Sequence, residues 1–224
     1  MRRLKTVALI GVGLIGASFA AGLRRAGAAP AVRGFDRDPR ALERAVELGI
    51  LDQAADSPSE AARGADLVIV AVPVRAIAPV LHDVASALAP DAVVTDVGST
   101  KGDVVDAARV ELRERFPRFV PGHPIAGRET SGVDSASAEL FRGARAVLTP
   151  VDETAADAVS LVRQCWEAVG ARVSEMPPDA HDRIFAARDG MARHEAREAL
   201  AQLRARGLDH LALRAAHVGH HRLR

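Results

Sequence analysis

His123 is the residue whose type and position in the sequence most strongly indicate catalysis. It lies between glycines and beside a proline in the segment 122–127, directly after an apolar run that is typical of a strand. A histidine whose pKa is near neutrality can accept a proton from a substrate hydroxyl while hydride leaves the carbon that bears this hydroxyl. An isolated histidine is more often structural, but the position at a strand end favours a ligand-facing role.

A second polar loop, 96–101, contains Ser99, Thr100 and Lys101. In one interpretation Ser99 or Thr100 caps the helix that follows; in the other, Ser99 presents its hydroxyl to a ligand. Lys101 is one of two lysines beside 28 arginines, which hints at a requirement for a compact ammonium group.

A glycine-rich turn near the N-terminus predicts a dinucleotide site. The apolar run 7–10 is followed by Gly11, Gly13 and Gly16, and then by a helical pattern. In such a turn the first glycine permits a sharp exit from the strand, the second leaves room for a pyrophosphate, and the third allows close helix packing. The N–H groups at the start of the helix then face the phosphates.

An acidic residue follows at the spacing that this turn requires. Asp36 directly follows the strand-like run 31–35 and lies 20 residues after Gly16. A carboxylate there would bind the ribose 2′-hydroxyl and repel a 2′-phosphate, which favours NAD over NADP, although Arg37 and Arg40 leave this preference open. The alternative is that Asp36 only caps a helix beginning near Pro39.

The elements that position these loops alternate along the chain. Apolar strand-like runs at 67–72, 92–96, 118–120, 144–148 and 171–174 are separated by helical stretches at 40–48, 75–88, 102–115 and 153–169. This alternation predicts an α/β, Rossmann-type doubly wound fold with a mostly parallel sheet. Ligands should therefore gather where the loops converge, beyond the carboxyl ends of the strands.

Several separated motifs together resemble the prephenate and arogenate dehydrogenases of tyrosine biosynthesis. They lie in residues 10–18, 71–74, 96–101, 122–127 and 131–132, within a resemblance that runs from about residue 5 to about residue 187. In that family NAD⁺ takes hydride from the ring carbon that bears the 4-hydroxyl, and loss of the ring carboxylate restores aromaticity.

The resemblance implies specific roles. The family's catalytic histidine falls on His123, its serine near the substrate hydroxyl falls on Ser99, and an acidic position in its substrate pocket falls on Glu129. The cofactor contacts that it implies are Gly11, Val12, Gly13, Leu14, Ile15, Gly16, Asp36, Arg37, Val72 and Pro73. Two other hypotheses stay open: a non-catalytic NAD-binding module, and a related NAD-dependent hydroxy-acid dehydrogenase.

The sequence departs from the family after residue 187. Family members continue into a helical domain that completes the substrate pocket and forms the dimer, whereas residues 188–224 carry 8 Arg, 4 acidic residues and 5 of the 8 His. We expect an NAD-binding domain at 1–187 and a short irregular or helical tail at 188–224, foreign in origin, and we do not expect the family's homodimer. We therefore expect impaired catalysis, because the resemblance implies that part of the substrate clamp is missing.

Composition excludes several function classes. The net charge of +1 provides no basic field for nucleic acid or for a membrane surface. The uncharged stretch 6–23 resembles a signal peptide, but its ordered glycines favour the dinucleotide turn. A single cysteine, Cys165, suits a cytoplasmic enzyme, and the histidines of the tail lack the partners of a metal site.

Overall fold

The computed structural model describes residues 4–29, 31–126 and 130–186. Glu129 and the tail 188–224 lie outside these described residues. The strands are β1 (Thr6–Ile10), β2 (Ala31–Phe35), β3 (Gln53–Ala54), β4 (Leu67–Val70), β5 (Val93–Asp96), β6 (Phe119–Val120), β7 (Gly122–Ile125), β8 (Arg145–Leu148) and β9 (Arg172–Glu175). The helices are α1 (Leu14–Arg25), α2 (Pro39–Glu47), α3 (Pro58–Ala62), α4 (Ile77–Ala85), α5 (Gly102–Leu112), α6 (Ala156–Ala168) and α7 (Pro178–Ala186).

Six strands form one parallel sheet in the order β3-β2-β1-β4-β5-β6. Strands buried on both faces read as continuous apolar runs, and β1 and β4 are buried along almost their whole length. The sheet order reverses between β1 and β4, which is the topological switch point where such folds bind ligands. The predicted Rossmann-type fold is confirmed.

Helices cover both faces of this sheet. On one face α1, α2 and α6 pack into a core in which the rings of Phe19 and Trp166 stack with their centroids 3.9 Å apart. On the other face α3, α4 and α5 bury aliphatic side chains against β4 and β5. The amphipathic patterns of the sequence therefore correspond to two cores separated by one sheet.

The last three strands form a second sheet in the order β7-β8-β9, which the sequence did not predict. β7 runs antiparallel to β8, and β8 runs parallel to β9. The segment 122–127 was expected to be a loop, but Gly122–Ile125 is a strand, because its backbone pairs with β8. This sheet adds its inner face to the core around Trp166, while α7 packs Ile184 and Phe185 against its other side.

Candidate active site

The glycine turn after β1 is shaped by close backbone contacts. Gly11 has a φ of +97°, and a Cβ at this position would lie 2.4 Å from the carbonyl oxygen of Ala71. A Cβ on Gly16 would lie 2.5 Å from the carbonyl oxygen of Gly11, whereas one on Gly13 would meet no atom within 4 Å. Gly11 and Gly16 are therefore required by packing, while the space beside Gly13 is open to a ligand.

The first turn of α1 adds hydrogen-bond donors to this open space. Gly13 is the N-cap residue, so no side chain caps the helix, and no acidic residue lies in the first turn. The N–H groups of Leu14 and Ile15 belong to the orphan donors at a helix start, where the helix dipole also favours negative charge. The arrangement suits a pyrophosphate.

Asp36 links this turn to the end of β2. Its carboxylate accepts hydrogen bonds from the backbone N–H groups of Val12 (2.7 Å) and Asp38 (3.0 Å). The cap of α2 is Asp38, which accepts from the N–H of Arg40, so the interpretation of Asp36 as a helix cap is wrong. Asp36 instead fixes the glycine turn, with Arg37 exposed beside it.

The remaining loops of the predicted site share this edge of the sheet. Ile10 pairs in register with both Phe35 and Val70, and Val70 pairs with Asp96. The segments that follow these four residues therefore converge at the carboxyl ends of neighbouring strands. Val72 and Pro73 lie in the loop after β4, and Val72 approaches Gly11, since its Cγ1 would be 3.1 Å from a Cβ there.

A buried ion pair joins the two sheets beside His123. The Nζ of Lys101 lies 2.5 Å from the Oδ2 of Asp96 and donates to the carbonyl oxygen of Gly122 at 2.8 Å, and both charged side chains are inaccessible to solvent. The Oδ1 of Asp96 also accepts from the N–H of Gly122. Burial lowers the pKa of Lys101, and the attraction of Asp96 opposes this shift.

This ion pair accounts for a lysine in so arginine-rich a chain. The ammonium group reaches a carboxylate and a carbonyl oxygen in an enclosed space, in agreement with the compact group that the sequence suggested. The pair also fixes the first residue of β7, and therefore the position of His123 relative to the carboxyl end of β5.

His123 contacts a second histidine, His181, which no sequence motif predicted to be part of the site. Its Nδ1 lies 2.9 Å from the Nε2 of His181, and the Nδ1 of His181 lies 2.8 Å from the Oδ1 of Asp182. His181 is fully buried, while His123 is partly exposed. In the sequence, the adjacent His181 and Asp182 in an amphipathic segment could have indicated a polar site. The residues around them in the sequence do not indicate that they contact His123.

Asp182 also provides the hydrogen-bond acceptor at the start of α5. Its carboxylate accepts from the N–H groups of Lys101 (2.8 Å) and Gly102 (2.7 Å) at the start of α5. Of the two interpretations of this loop, capping by Ser99 or Thr100 is wrong, since α5 begins at Gly102 and has no side-chain cap from its own N-cap residue, Lys101. A carboxylate from α7 supplies the acceptor.

Ser99 and Thr100 are both exposed and line an open cavity of about 570 Å³ between α4 and α5. Arg75 and Asp103 contribute charge to its wall, and His123 is not among its lining residues. The place of Ser99 near the substrate hydroxyl, which the resemblance implies, stays a prediction. The hydroxyls are accessible to a ligand from this side.

Other chemistries find little support among the described residues. Cys165 is buried, and burial raises its pKa to about 12, so its thiol is not a nucleophile at neutral pH. Within residues 4–29, 31–126 and 130–186, no group of three or more His, Cys, Asp or Glu is arranged to hold a metal ion. In the same ranges no helix combines the length and apolarity that crossing a membrane requires.

Comparison with known proteins assigns this arrangement to a family. The family model "Prephenate dehydrogenase, nucleotide-binding domain" matches residues 19–175. The cyclohexadienyl dehydrogenase of Zymomonas mobilis is 36% identical over 186 residues, covering 83% of this chain and 63% of that protein. The prephenate dehydrogenase of Bacillus subtilis is 37% identical over 186 residues, covering 82% of this chain and 50% of that protein.

A solved structure agrees with these matches. The prephenate dehydrogenase of Aquifex aeolicus, in complex with hydroxyphenyl propionate and NAD⁺, has a TM-score of 0.74 and 34% sequence identity. The match covers 95% of this chain and 78% of that one. The present chain thus spans about half to two-thirds of the length of the curated relatives.

Proposed function

The chain belongs to the prephenate dehydrogenase family, of which it carries the nucleotide-binding domain, and we propose that it binds NAD and catalyses oxidative decarboxylation of prephenate or arogenate. The observation that carries this proposal is the position of His123. Gly122, the residue before it, is hydrogen-bonded to Asp96 at the carboxyl end of β5, and the ring of His123 is hydrogen-bonded to the buried His181. This position supports a role for His123 as the base beside a hydride acceptor bound at the same edge of the sheet.

The residues present fit an NAD molecule. The open space at Gly13 and the uncapped start of α1 suit the pyrophosphate, which would be held by Gly11, Val12, Leu14, Ile15 and Gly16. Each oxygen of Asp36 keeps a further lone pair for a ribose hydroxyl, with Arg37 beside it. Val72 and Pro73 would line the nicotinamide side of the same edge. NAD, when bound, accepts the hydride.

The substrate chemistry requires a base whose position is fixed. The neutral imidazole of His123 accepts the hydrogen bond of the 4-hydroxyl and takes up its proton as hydride leaves, because the loss of hydride makes the carbon electron-poor and the hydroxyl more acidic. The bond to the ring carboxylate breaks, its electron pair completes the aromatic ring, and carbon dioxide is released. The shared proton returns to the phenol oxygen, so no net proton is consumed. Ser99 and Glu129 would orient the substrate.

The first test measures binding and turnover separately. NAD⁺ is titrated into the purified chain by calorimetry, and NADH formation is followed with prephenate and with arogenate. We expect NAD⁺ binding and NADH formation with a small-molecule substrate. We also expect a cytoplasmic location, in keeping with the buried free thiol of Cys165. Binding without turnover would support the second candidate, a non-catalytic NAD-binding module.

Replacement of His123 tests the role of the proposed base. His123→Ala should lower kcat by about 10²-fold or more, because a positioned base contributes about 10²–10⁴-fold to such reactions, and NAD⁺ affinity should stay unchanged. His82→Ala is the matched control, since His82 is an exposed histidine that pairs with Glu111 on the outer surface of α4 and α5. Equal activity of the wild type and His123→Ala would contradict the assignment.

A further inference from the structure

The buried His181 contacts His123, and the nitrogen of His181 that carries a proton determines which nitrogen of His123 carries one. The chain of contacts runs from the Nδ1 of His123 to the Nε2 of His181 (2.9 Å), and from the Nδ1 of His181 to Asp182 (2.8 Å). His181 and Asp182 lie on α7, and Asp182 fixes that helix to the start of α5. A rigid polar relay therefore extends from His123 to the backbone.

Asp182 can only accept hydrogen bonds in this relay. It receives two backbone N–H groups, from Lys101 and Gly102, besides the ring of His181. Partial burial alone would raise the pKa of Asp182, but these donors outweigh burial and lower it below its usual value. An ionised carboxylate has no proton to give, so the Nδ1 of His181 must carry the hydrogen of their shared bond.

The protonation of His181 then determines that of His123. Burial lowers the pKa of His181, against the opposing pull of Asp182, so the neutral ring is favoured at neutral pH. A neutral imidazole with hydrogen on Nδ1 has a lone pair on Nε2. That lone pair faces the Nδ1 of His123, which must donate.

We infer that His181 and Asp182 are positioning residues that hold His123 in the Nδ1–H tautomer, so that its Nε2 is the nitrogen that accepts the hydrogen bond of the substrate hydroxyl. This inference rests on the proposed function for the role of His123 as a base. Phe185 packs against both imidazole rings, with centroid distances of 5.1 Å to His123 and 4.5 Å to His181, and restricts their rotation. Orientation and tautomer are therefore set by the same helix.

The tautomers can be observed directly by nitrogen-15 NMR of the full chain labelled at histidine. Protonated and unprotonated ring nitrogens differ widely in chemical shift, and the His123 signals are those that disappear in His123→Ala. In the wild type at slightly alkaline pH, we expect both His123 and His181 with hydrogen on Nδ1 and a lone pair on Nε2. A wild-type His123 with hydrogen on Nε2 would overturn the inference.

His181→Phe removes the acceptor and keeps a buried ring of similar size. We expect His123 to lose its dominant Nδ1–H form, whereas His82→Phe, which removes an exposed histidine–carboxylate pair, leaves the His123 signals unchanged. A His123 tautomer that is unchanged in folded His181→Phe would contradict the relay. If this variant does not fold, the wild-type spectrum decides.

The same samples separate this inference from the proposed function. NAD⁺ titration of the labelled wild type tests cofactor binding: its absence would refute the proposed function without altering the tautomer result. In chain that forms NADH, His181→Phe should lower kcat by about 10²-fold with little change in KM, because substrate binding is kept while the base loses its orientation. An unchanged kcat beside an altered tautomer would show that the relay does not serve catalysis.

Discussion

The glycine turn and the surroundings of His123 lie at neighbouring points of one sheet edge, but they are built in opposite ways. The turn positions backbone N–H groups by leaving out side chains, since a Cβ on Gly11 or Gly16 would overlap backbone atoms. His123 is positioned by added side chains, namely a buried ion pair below it and a histidine–aspartate pair behind it. The glycines of the first arrangement lie in one short segment, whereas the side chains of the second come from segments up to 81 residues apart.

The two constructions should fail differently when they are changed. A substitution in the turn acts through steric overlap, and its cost depends on how far the backbone can move. A substitution in the polar network leaves a charge or a hydrogen-bonding group without its partner in a buried place. The difference can be tested with single substitutions.

Lys101→Met should give the largest loss of stability. The change leaves the Asp96 carboxylate buried without its cation, and breaking a buried pair on one side costs about 3–5 kcal/mol in free energy of unfolding. Urea-induced unfolding measures the loss. Lys5→Met is the matched control, since the other lysine of the chain is exposed, and it should change stability by less than about 0.5 kcal/mol. Similar losses in both variants would contradict the structural role of the ion pair.

The same contrast explains what could be predicted from the sequence. The run 7–10, the glycines and Asp36 have fixed spacings because they belong to one strand–helix–strand unit, so the dinucleotide turn and the parallel sheet were predictable. β2 was predicted at its observed bounds. The helices α3 and α7 were missed, because short amphipathic segments give weak periodic signals. The doubly wound fold follows from the alternation of strands and helices.

The surroundings of His123 could not be predicted in the same way. Nothing in the spacing of Asp96, Lys101, Asp182 and His123 shows that they meet, since their contacts depend on how β7 and α7 pack against the first sheet. The predicted loop at 122–127 also hid a strand, because its partner β8 is some 20 residues further along the chain. Side-chain networks between segments that are distant in sequence can be predicted only when the fold is known.

Gly11→Ala should cost less than loss of the ion pair, at about 2–4 kcal/mol. The added methyl group would lie 2.4 Å from the carbonyl oxygen of Ala71, at a φ of +97° that residues with a Cβ rarely adopt, so the strand ends must separate. Urea-induced unfolding and calorimetric titration with NAD⁺ measure the two consequences, and both stability and affinity should fall.

Gly13→Ala is the control that separates packing from ligand contact in the turn. Because a Cβ here meets no atom within 4 Å, the free energy of unfolding should change by less than about 1 kcal/mol. NAD⁺ affinity should nevertheless fall about tenfold, equivalent to about 1.4 kcal/mol, because the methyl group would occupy space for the pyrophosphate. Unchanged NAD⁺ affinity in this variant would contradict the assignment of the turn to the cofactor.

The smallest expected effect is a dependence of stability on pH that comes from His181. Burial lowers the pKa of His181 in the folded chain below its ordinary value of 6.5, which the unfolded chain keeps. Between about pH 7.5 and about pH 5.5 the unfolded chain therefore binds a proton before the folded chain does, and the free energy of unfolding falls as the pH falls. The contribution is complete above the unfolded pKa and is lost towards the folded one.

Urea-induced unfolding at the two pH values, in the wild type and in His181→Phe, isolates this contribution. We expect a smaller decrease in stability on acidification in His181→Phe than in the wild type, and a wild-type decrease in His82→Phe. Asp182 does not confuse the result, because its lowered pKa acts in the window below 3.8. Equal decreases in wild type and His181→Phe would mean that His181 is protonated as readily in the folded chain as in the unfolded one, which would contradict the lowered pKa of the buried ring.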